Sequence, residues 1–362
     1  MIAGTRQHRD KTMMRRPRPT TRHGPAAHPG ERPVYIGGLD RSGKTTMAAY
    51  LASHPDIAIP AVGSNMWTYF YGRFGDLGRR RNFERCLAAM LCYKHVRFLE
   101  PDPARIRREF AAGPATYAHL FALFLRHFAE RGGKARWGAQ TGLIERYAEH
   151  LFAAYPGLRI VHMLRDPRDR YAASLARWPN GRGRAGGATA RWCYSLALAG
   201  RHAHRHPDAY LIVRFEDLVT DTEATLRRVC GFLHAPFTPE MLEMGGAPKL
   251  RSALRGSGAG ATGGALLSPD HIGGYRGQLR TPELAFMQLH AGRRMREYGY
   301  PPDPITLSPA GRLRFALVDW PDQMARMAAW RTVEELQQRS PRWVQRRPGR
   351  RMIVDEPIGP GA

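Results

Sequence analysis

GGLDRSGKTT, Gly37 to Thr46, follows a short apolar run that opens at Val34 and leads into Lys44 to Ser53, where Met47, Ala48 and Leu51 recur at helical spacing. Strand, glycine-rich turn and helix in that order aim backbone N–H groups and a helix N-terminus at one point, and Lys44 adds a positive charge there. Gly38 through Thr45 satisfies the pattern GxxxxGK[ST], so the stretch reads as a phosphate-binding loop. The pattern does not say whether the bound group is a triphosphate with magnesium or a different phosphate anhydride without it.

Outward from the loop, LRIVHML, Leu158 to Leu164, is apolar enough for a strand buried on both faces, and it ends at Arg165 and Asp166. AYLIVRF, Ala209 to Phe215, reads as another strand. Between these two, the spacing predicts a helix from about Arg168 to Trp178, a glycine-rich loop from Asn180 to Gly187 and a helix over Ala188 to His204. Helical spacing also runs through FERCLAAMLCYKHVRFL and TYAHLFALFLRHFAE, with Pro101, Pro103 and Pro114 as breaks, and through Leu143 to Tyr155. Strands separated by helices predict an α/β fold, a P-loop-like doubly wound parallel sheet flanked by helices, with ligands at the carboxyl ends of the strands.

A second motif stands at such an end. LRDPRDRYAASLAR, Leu164 to Arg177, places Arg165 at a strand tip and Ser174 and Arg177 on the following helix, a cationic and hydroxyl cluster suited to another phosphate. One anion site per motif fits a donor phosphorylated at both ends. Here the sequence resembles the sulfotransferases that use 3′-phosphoadenosine 5′-phosphosulfate (PAPS), in which an RSGTT-like motif grips the 5′-phosphosulfate and RDPRD followed by Ser grips the 3′-phosphate. The resemblance extends from Pro33 to Tyr300, through RWGAQTGLIERYAEHLFAAYPGLRIVHMLRDPRD, YLIVRFEDLVTDTEATLRRVCGFL and IGGYRGQLRTPELAFMQLHAGRRMREYGY. It implies donor contacts at Arg41, Ser42, Gly43, Lys44, Thr45 and Thr46 for the 5′ end, at Arg165, Ser174 and Arg177 for the 3′ end, and at Arg276 of the YRGQL segment. Lys44 is the expected catalytic cation, placed to stabilise the bridging oxygen as the bond to sulfur breaks. No metal is expected.

The chain departs from the family pattern in places. The serine that usually lies eight residues after the arginine is Ala173 here, and Ser174 comes one later. Gln140 and Gly142 stand where many relatives have Lys and Pro, and Phe215 where tyrosine is frequent. Relatives often supply a glutamate base shortly after an HP dipeptide, but no acid occurs from Ile57 through Phe74, and Ser64 and Asn65 lie near that place. Asp76, His95 and His119 are the remaining base candidates. Glu216 and Asp217 read as a structural helix start.

Of the 362 residues, 56 are Lys or Arg and 31 are Asp or Glu, a formal charge of +25. That excess suits nucleic acid, a membrane surface or small anions alike, and an Arg-rich composition is also what a GC-rich genome writes. Residues 1–32 carry eight basic residues against Asp10 and Glu31 and read as a disordered basic tail. Residues 33–300 form the expected sulfotransferase domain, with 301–362 as a helical extension and tail. The amphipathic part of that extension suits core packing, a membrane or a partner. Residues 245–274, rich in Gly, Ala and Ser, are an expected mobile loop. The cysteines, Cys86, Cys92, Cys193 and Cys230, have neither zinc-ligand nor disulfide-framework spacing. The first 20 residues hold no signal-peptide core, and no apolar run of about 18 residues occurs, so a cytoplasmic, unanchored protein is expected. The acceptor, a glycolipid, carbohydrate or other natural product, would sit among 61–130 and 180–190. Two rival readings remain: a magnesium-dependent P-loop kinase or NTPase with Asp166 on the metal, and a nucleic-acid-binding protein, for which no module is found.

Overall fold

The computed structural model describes residues 31–248, 251–252, 267, 269–339 and 347–354. Most of the expected basic tail, and the greater part of the glycine-rich loop between 249 and 268, lie outside the described residues. Five strands form one parallel sheet in the order β2-β3-β1-β4-β5: β1 is Val34–Gly38, β2 Ile57–Ala58, β3 Arg136–Gln140, β4 Arg159–Leu164 and β5 Tyr210–Arg214. The chain leaves β1 in the middle of the sheet, builds one side through β2 and β3, and then the other through β4 and β5, so the sheet is doubly wound and its switch lies beside β1.

Alternation along β1 shows how both faces are covered. Tyr35 packs with the helices Arg80–Leu91, Tyr117–Arg131 and Ala148–Ala154, whereas Val34 and Ile36 pack with the helices Lys44–Ala52 and Thr222–Leu233. In β4 the same division separates Ile160 from Val161 and Met163.

The strands at Val34, Leu158 and Ala209 fall within one residue of their expected starts. Two strands were not legible. Ile57–Ala58 is too short to show a pattern, and RWGAQ breaks its alternation with a glycine. Gly138 is there because β1 and Ile59 press against it: an added Cβ would lie 2.7 Å from the Val34 carbonyl oxygen.

The glycine-rich segment expected as a loop to Gly187 is partly helical, because the helix Ala185–Arg205 starts inside it. Gly186 is a site of close approach, its backbone lying so near the helix Trp320–Arg339 that a Cβ would sit 2.0 Å from the Gln323 carbonyl oxygen. Gln323 reinforces this contact, its Oε1 accepting from the Gly186 N–H at 2.8 Å and its amide donating to the Gly183 carbonyl at 2.9 Å. Met324, Met327 and Trp330 of the same C-terminal helix pack around Ala190 and Phe286, while Leu313, Leu317 and Val318 just before it are exposed. Among the described residues, no helix is long and apolar enough to cross a membrane.

Candidate functional site

β1 delivers the chain to the loop, and two glycines make its turn possible. Gly38 has φ +104° and Gly43 φ +88°, both in the left-handed region that L side chains rarely adopt. A Cβ on Gly43 would also lie 2.4 Å from the ring of Phe215, at the end of β5. The helix Lys44–Ala52 starts with no side-chain cap and no acid in its first turn, so its orphan N–H groups stay available to an anion. Ser42 is buried, Thr46 half-buried and Arg41 exposed at φ +68°. Thr45 donates to Gln140 Oε1 at 3.2 Å, which ties the helix to the end of β3. Gln140 in turn donates to the carbonyl of Ala61 at 3.1 Å.

Lys44 is 9% exposed, and its Nζ lies 3.3 Å from Oδ1 of Asp40, whose side chain is 61% exposed. Lys44 above all, then Arg191 and Arg170, hold the Asp40 carboxyl below the usual range, so it is ionised at neutral pH.

The second motif meets the loop directly. Arg165, 9% exposed at the tip of β4, donates to the Arg41 carbonyl at 3.1 Å and to the His271 carbonyl at 2.7 Å. Its guanidinium lies 4.6 Å from the centre of the Phe215 ring, and its buried Nε has no protein partner. Burial in turn lowers its pKa. Arg165, Arg41, Gly43 and Lys44 are thus brought together around the ends of β1, β4 and β5.

Other implied contacts are placed elsewhere. The Ser174 hydroxyl donates to the Arg170 carbonyl one turn back on its own helix, Pro167–Arg177, at 2.8 Å. Arg177 is exposed at the end of that helix beside Trp178, with the guanidinium 6.0 Å from the ring centre. Arg276 is exposed, lies over Tyr275 and donates to Asp303 at 2.9 Å. A cavity of 380 Å³ opens next to Arg276, between Asp169, Arg214, Glu216 and Tyr300, and no phosphate-loop residue lines it. Asp169 links the second motif to this region by accepting from the backbone N–H groups of Gly273 and Tyr275 at 2.7 and 2.9 Å.

Asp166 is occupied by its own helix. Oδ1 caps the Arg168 N–H at 2.8 Å, and the Arg168 guanidinium grips both carboxylate oxygens at 3.0 and 2.7 Å. A carboxylate held in this fork is poorly suited to a magnesium ion, which removes the main support for the NTPase reading. Glu216 is equally engaged, accepting from the Asp166 N–H at 3.0 Å and from the Tyr300 hydroxyl at 2.8 Å. Among the described residues, no cluster of three His, Cys, Asp or Glu side chains could hold a metal.

The three base candidates have partners outside the loop. Asp76 accepts from the Gly78 N–H at 2.9 Å in a turn. His119 is buried against Phe110, with Nε2 3.3 Å from the Glu109 carbonyl. Nδ1 of His95 lies 2.6 Å from the Gly63 carbonyl and 3.1 Å from the Tyr93 hydroxyl. Sequence reasoning passed over Asp40, Arg170 and Arg191. The run of arginines at 165, 168 and 170 was a signal for Arg170, but nothing near Arg191 announced it.

A family model described as the sulfotransferase family matches residues 33–239, more than half of the chain. No curated protein matches. Solved structures that the chain matches include the sulfotransferase domain of the Synechococcus PCC 7002 olefin synthase, at 18% identity and TM-score 0.46 over 84% of this chain and 96% of that one. The sulfotransferase domain from the curacin biosynthetic pathway is 14% identical, with TM-score 0.42 over 83% and 98%. A retinol dehydratase in complex with retinol and PAP is 15% identical, with TM-score 0.40 over 73% and 81%.

Proposed function

From the premise that this chain belongs to the sulfotransferase family, we propose that it transfers a sulfuryl group from PAPS to a hydroxyl of a small-molecule or glycan acceptor, with no specific role for nucleic acid. The observation that carries the reading is the junction of Arg165 with the loop at Arg41, since it sets two cationic groups at neighbouring strand ends, as a nucleotide phosphorylated at both 3′ and 5′ positions requires. The residues fit such a ligand. The helix at Lys44 has an open, uncapped N-terminus, and the buried Nε of Arg165 still lacks a partner. Phe215 offers a ring face between them, beside Gly43.

In this reading Arg41, the loop amides and the hydroxyls of Ser42, Thr45 and Thr46 hold the 5′-phosphosulfate, and Arg165 takes the 3′-phosphate. Lys44 neutralises charge on the leaving phosphate as the sulfur–oxygen bond breaks, an electrostatic task that fixed cations perform without reorganisation. The proposed roles of Ser174 and Arg177 require the helix Pro167–Arg177 to present them toward that phosphate; Arg276 is in the same position through its loop. Titration calorimetry with adenosine 3′,5′-bisphosphate tests the assignment. Micromolar binding to the wild type, weakened in both Lys44→Ala and Arg165→Ala, is expected; unchanged affinity in both variants would overturn it.

A further inference from the structure

The helix Ala185–Arg205 touches the helix Trp320–Arg339 backbone to backbone at Gly186, and Ala190 still packs with Met327 and Phe286. Beyond that point the contact opens. A cavity of 330 Å³ lies between these two helices and Thr281–Glu297, and no residue of the phosphate loop or of the strand ends lines it. The first helix contributes Ala190, Cys193, Tyr194 and Ala197, positions three and four apart and so one face of that helix. Three of the four are small, which leaves the space open.

Two aromatic rings form part of the wall. Tyr194 and Trp330 meet edge to face, with ring centres 5.5 Å apart and planes at 65°. Each ring is held by a guanidinium that does not itself line the cavity, Arg146 at 5.7 Å from the centre of Tyr194 and Arg191 at 6.0 Å from that of Trp330. The rings are therefore fixed before any ligand arrives.

The charges around the cavity do not cancel. Its two carboxylates are already engaged, the buried Glu334 by Arg146 and Glu335 by Arg339. Its two guanidinium groups, Arg294 and Arg331, are exposed and make no ion pair within 4 Å among the described residues. The Cys193 thiol beside Arg294 offers no compensating charge, because burial above all raises its pKa and keeps it protonated. A concave site with an aromatic wall and a few polar groups that fix orientation is the usual form of a small-molecule site, and this volume lies at the lower end of their range of about 300–1,000 Å³.

We propose that this cavity is a binding site for a small planar molecule that carries a carboxylate, with its ring against Tyr194 and Trp330 and its carboxylate at Arg294 and Arg331. The site is separate from the donor cleft and does not rest on the donor reading.

The test is calorimetry on the full chain, with indole-3-acetate as the probe and indole-3-acetamide as its neutral counterpart of the same shape. Indole-3-acetate binds about tenfold or more tightly than the amide, and Arg331→Gln removes most of that difference while the thermal unfolding midpoint stays as in the wild type. Arg331→Lys, which keeps the charge but loses the fork, retains part of it. Ala197→Trp, a change at an exposed position that fills the cavity from the side, abolishes binding of both probes. Saturating adenosine 3′,5′-bisphosphate leaves the affinity unchanged. The proposal is overturned if indole-3-acetate does not bind, if acid and amide bind alike, if Ala197→Trp binds as the wild type does, or if the nucleotide displaces the probe and so places it in the donor cleft.

Discussion

The guanidinium of Arg165 holds the carbonyl of Arg41 at 3.1 Å, so a residue at the tip of β4 fixes the loop at the one non-glycine position where its backbone is left-handed. The two motifs, 124 residues apart in sequence, form a single unit in which the shape of the loop depends on the second arginine. Lysine keeps the charge but cannot span the carbonyls of Arg41 and His271 with one planar fork. Arg165→Lys should therefore bind adenosine 3′,5′-bisphosphate about tenfold or more weakly, a loss near 1.4 kcal/mol. Affinity equal to the wild type in calorimetry would mean that only charge matters at this position.

Gly43 tests the loop from the other side. Alanine there meets both a φ of +88° and the Phe215 ring, so Gly43→Ala should lose nucleotide affinity and about 1–3 kcal/mol of stability. Removing the ring as well, in Gly43→Ala/Phe215→Ala, relieves the steric part but not the backbone part. A double-mutant cycle should show the two substitutions to be non-additive, and strict additivity would contradict the contact.

The phosphate loop and the arginine after β4 were legible because each is a local pattern: a spacing of glycines before a lysine, and charge arriving at the end of an apolar run. Gly186 misled for the converse reason, since glycine is the residue of loops and also of helices that touch backbone to backbone, and only Gln323, 137 residues on, decides which. Asp40, Arg170 and Arg191 come from three separate segments. Their meeting depends on how the helices Pro167–Arg177 and Ala185–Arg205 pack over the loop, which no local spacing encodes.

Buried histidines give the fold a pH dependence of predictable sign. Burial above all lowers the pKa of His54, His162 and His202, and the buried His162 ring has its Nδ1 2.8 Å from the Tyr210 hydroxyl. Because their folded pKa values lie below the unfolded value, the unfolded chain binds more protons as pH falls through about 6.5, and stability drops with it. Urea unfolding between pH 7.5 and 5.5 should show this loss, with a shallower slope in His162→Gln. Equal slopes would mean that the imidazole is not held neutral.

Neighbouring glycines on one helix should respond to alanine with opposite signs. At Gly186 the new Cβ would lie 2.0 Å from the carbonyl oxygen of Gln323, an atom fixed within another helix, so Gly186→Ala must push the helix Trp320–Arg339 away and should cost about 1–3 kcal/mol. At Gly187 the nearest atom is the Arg326 carbonyl oxygen at 3.9 Å, an ordinary contact. Alanine there adds helix propensity and should stabilise by up to about 1 kcal/mol. Urea midpoints of the two variants decide between an integral C-terminal helix and an appended one. If the helix were only loosely attached, Gly186→Ala would lose its penalty, and both substitutions would raise the midpoint together.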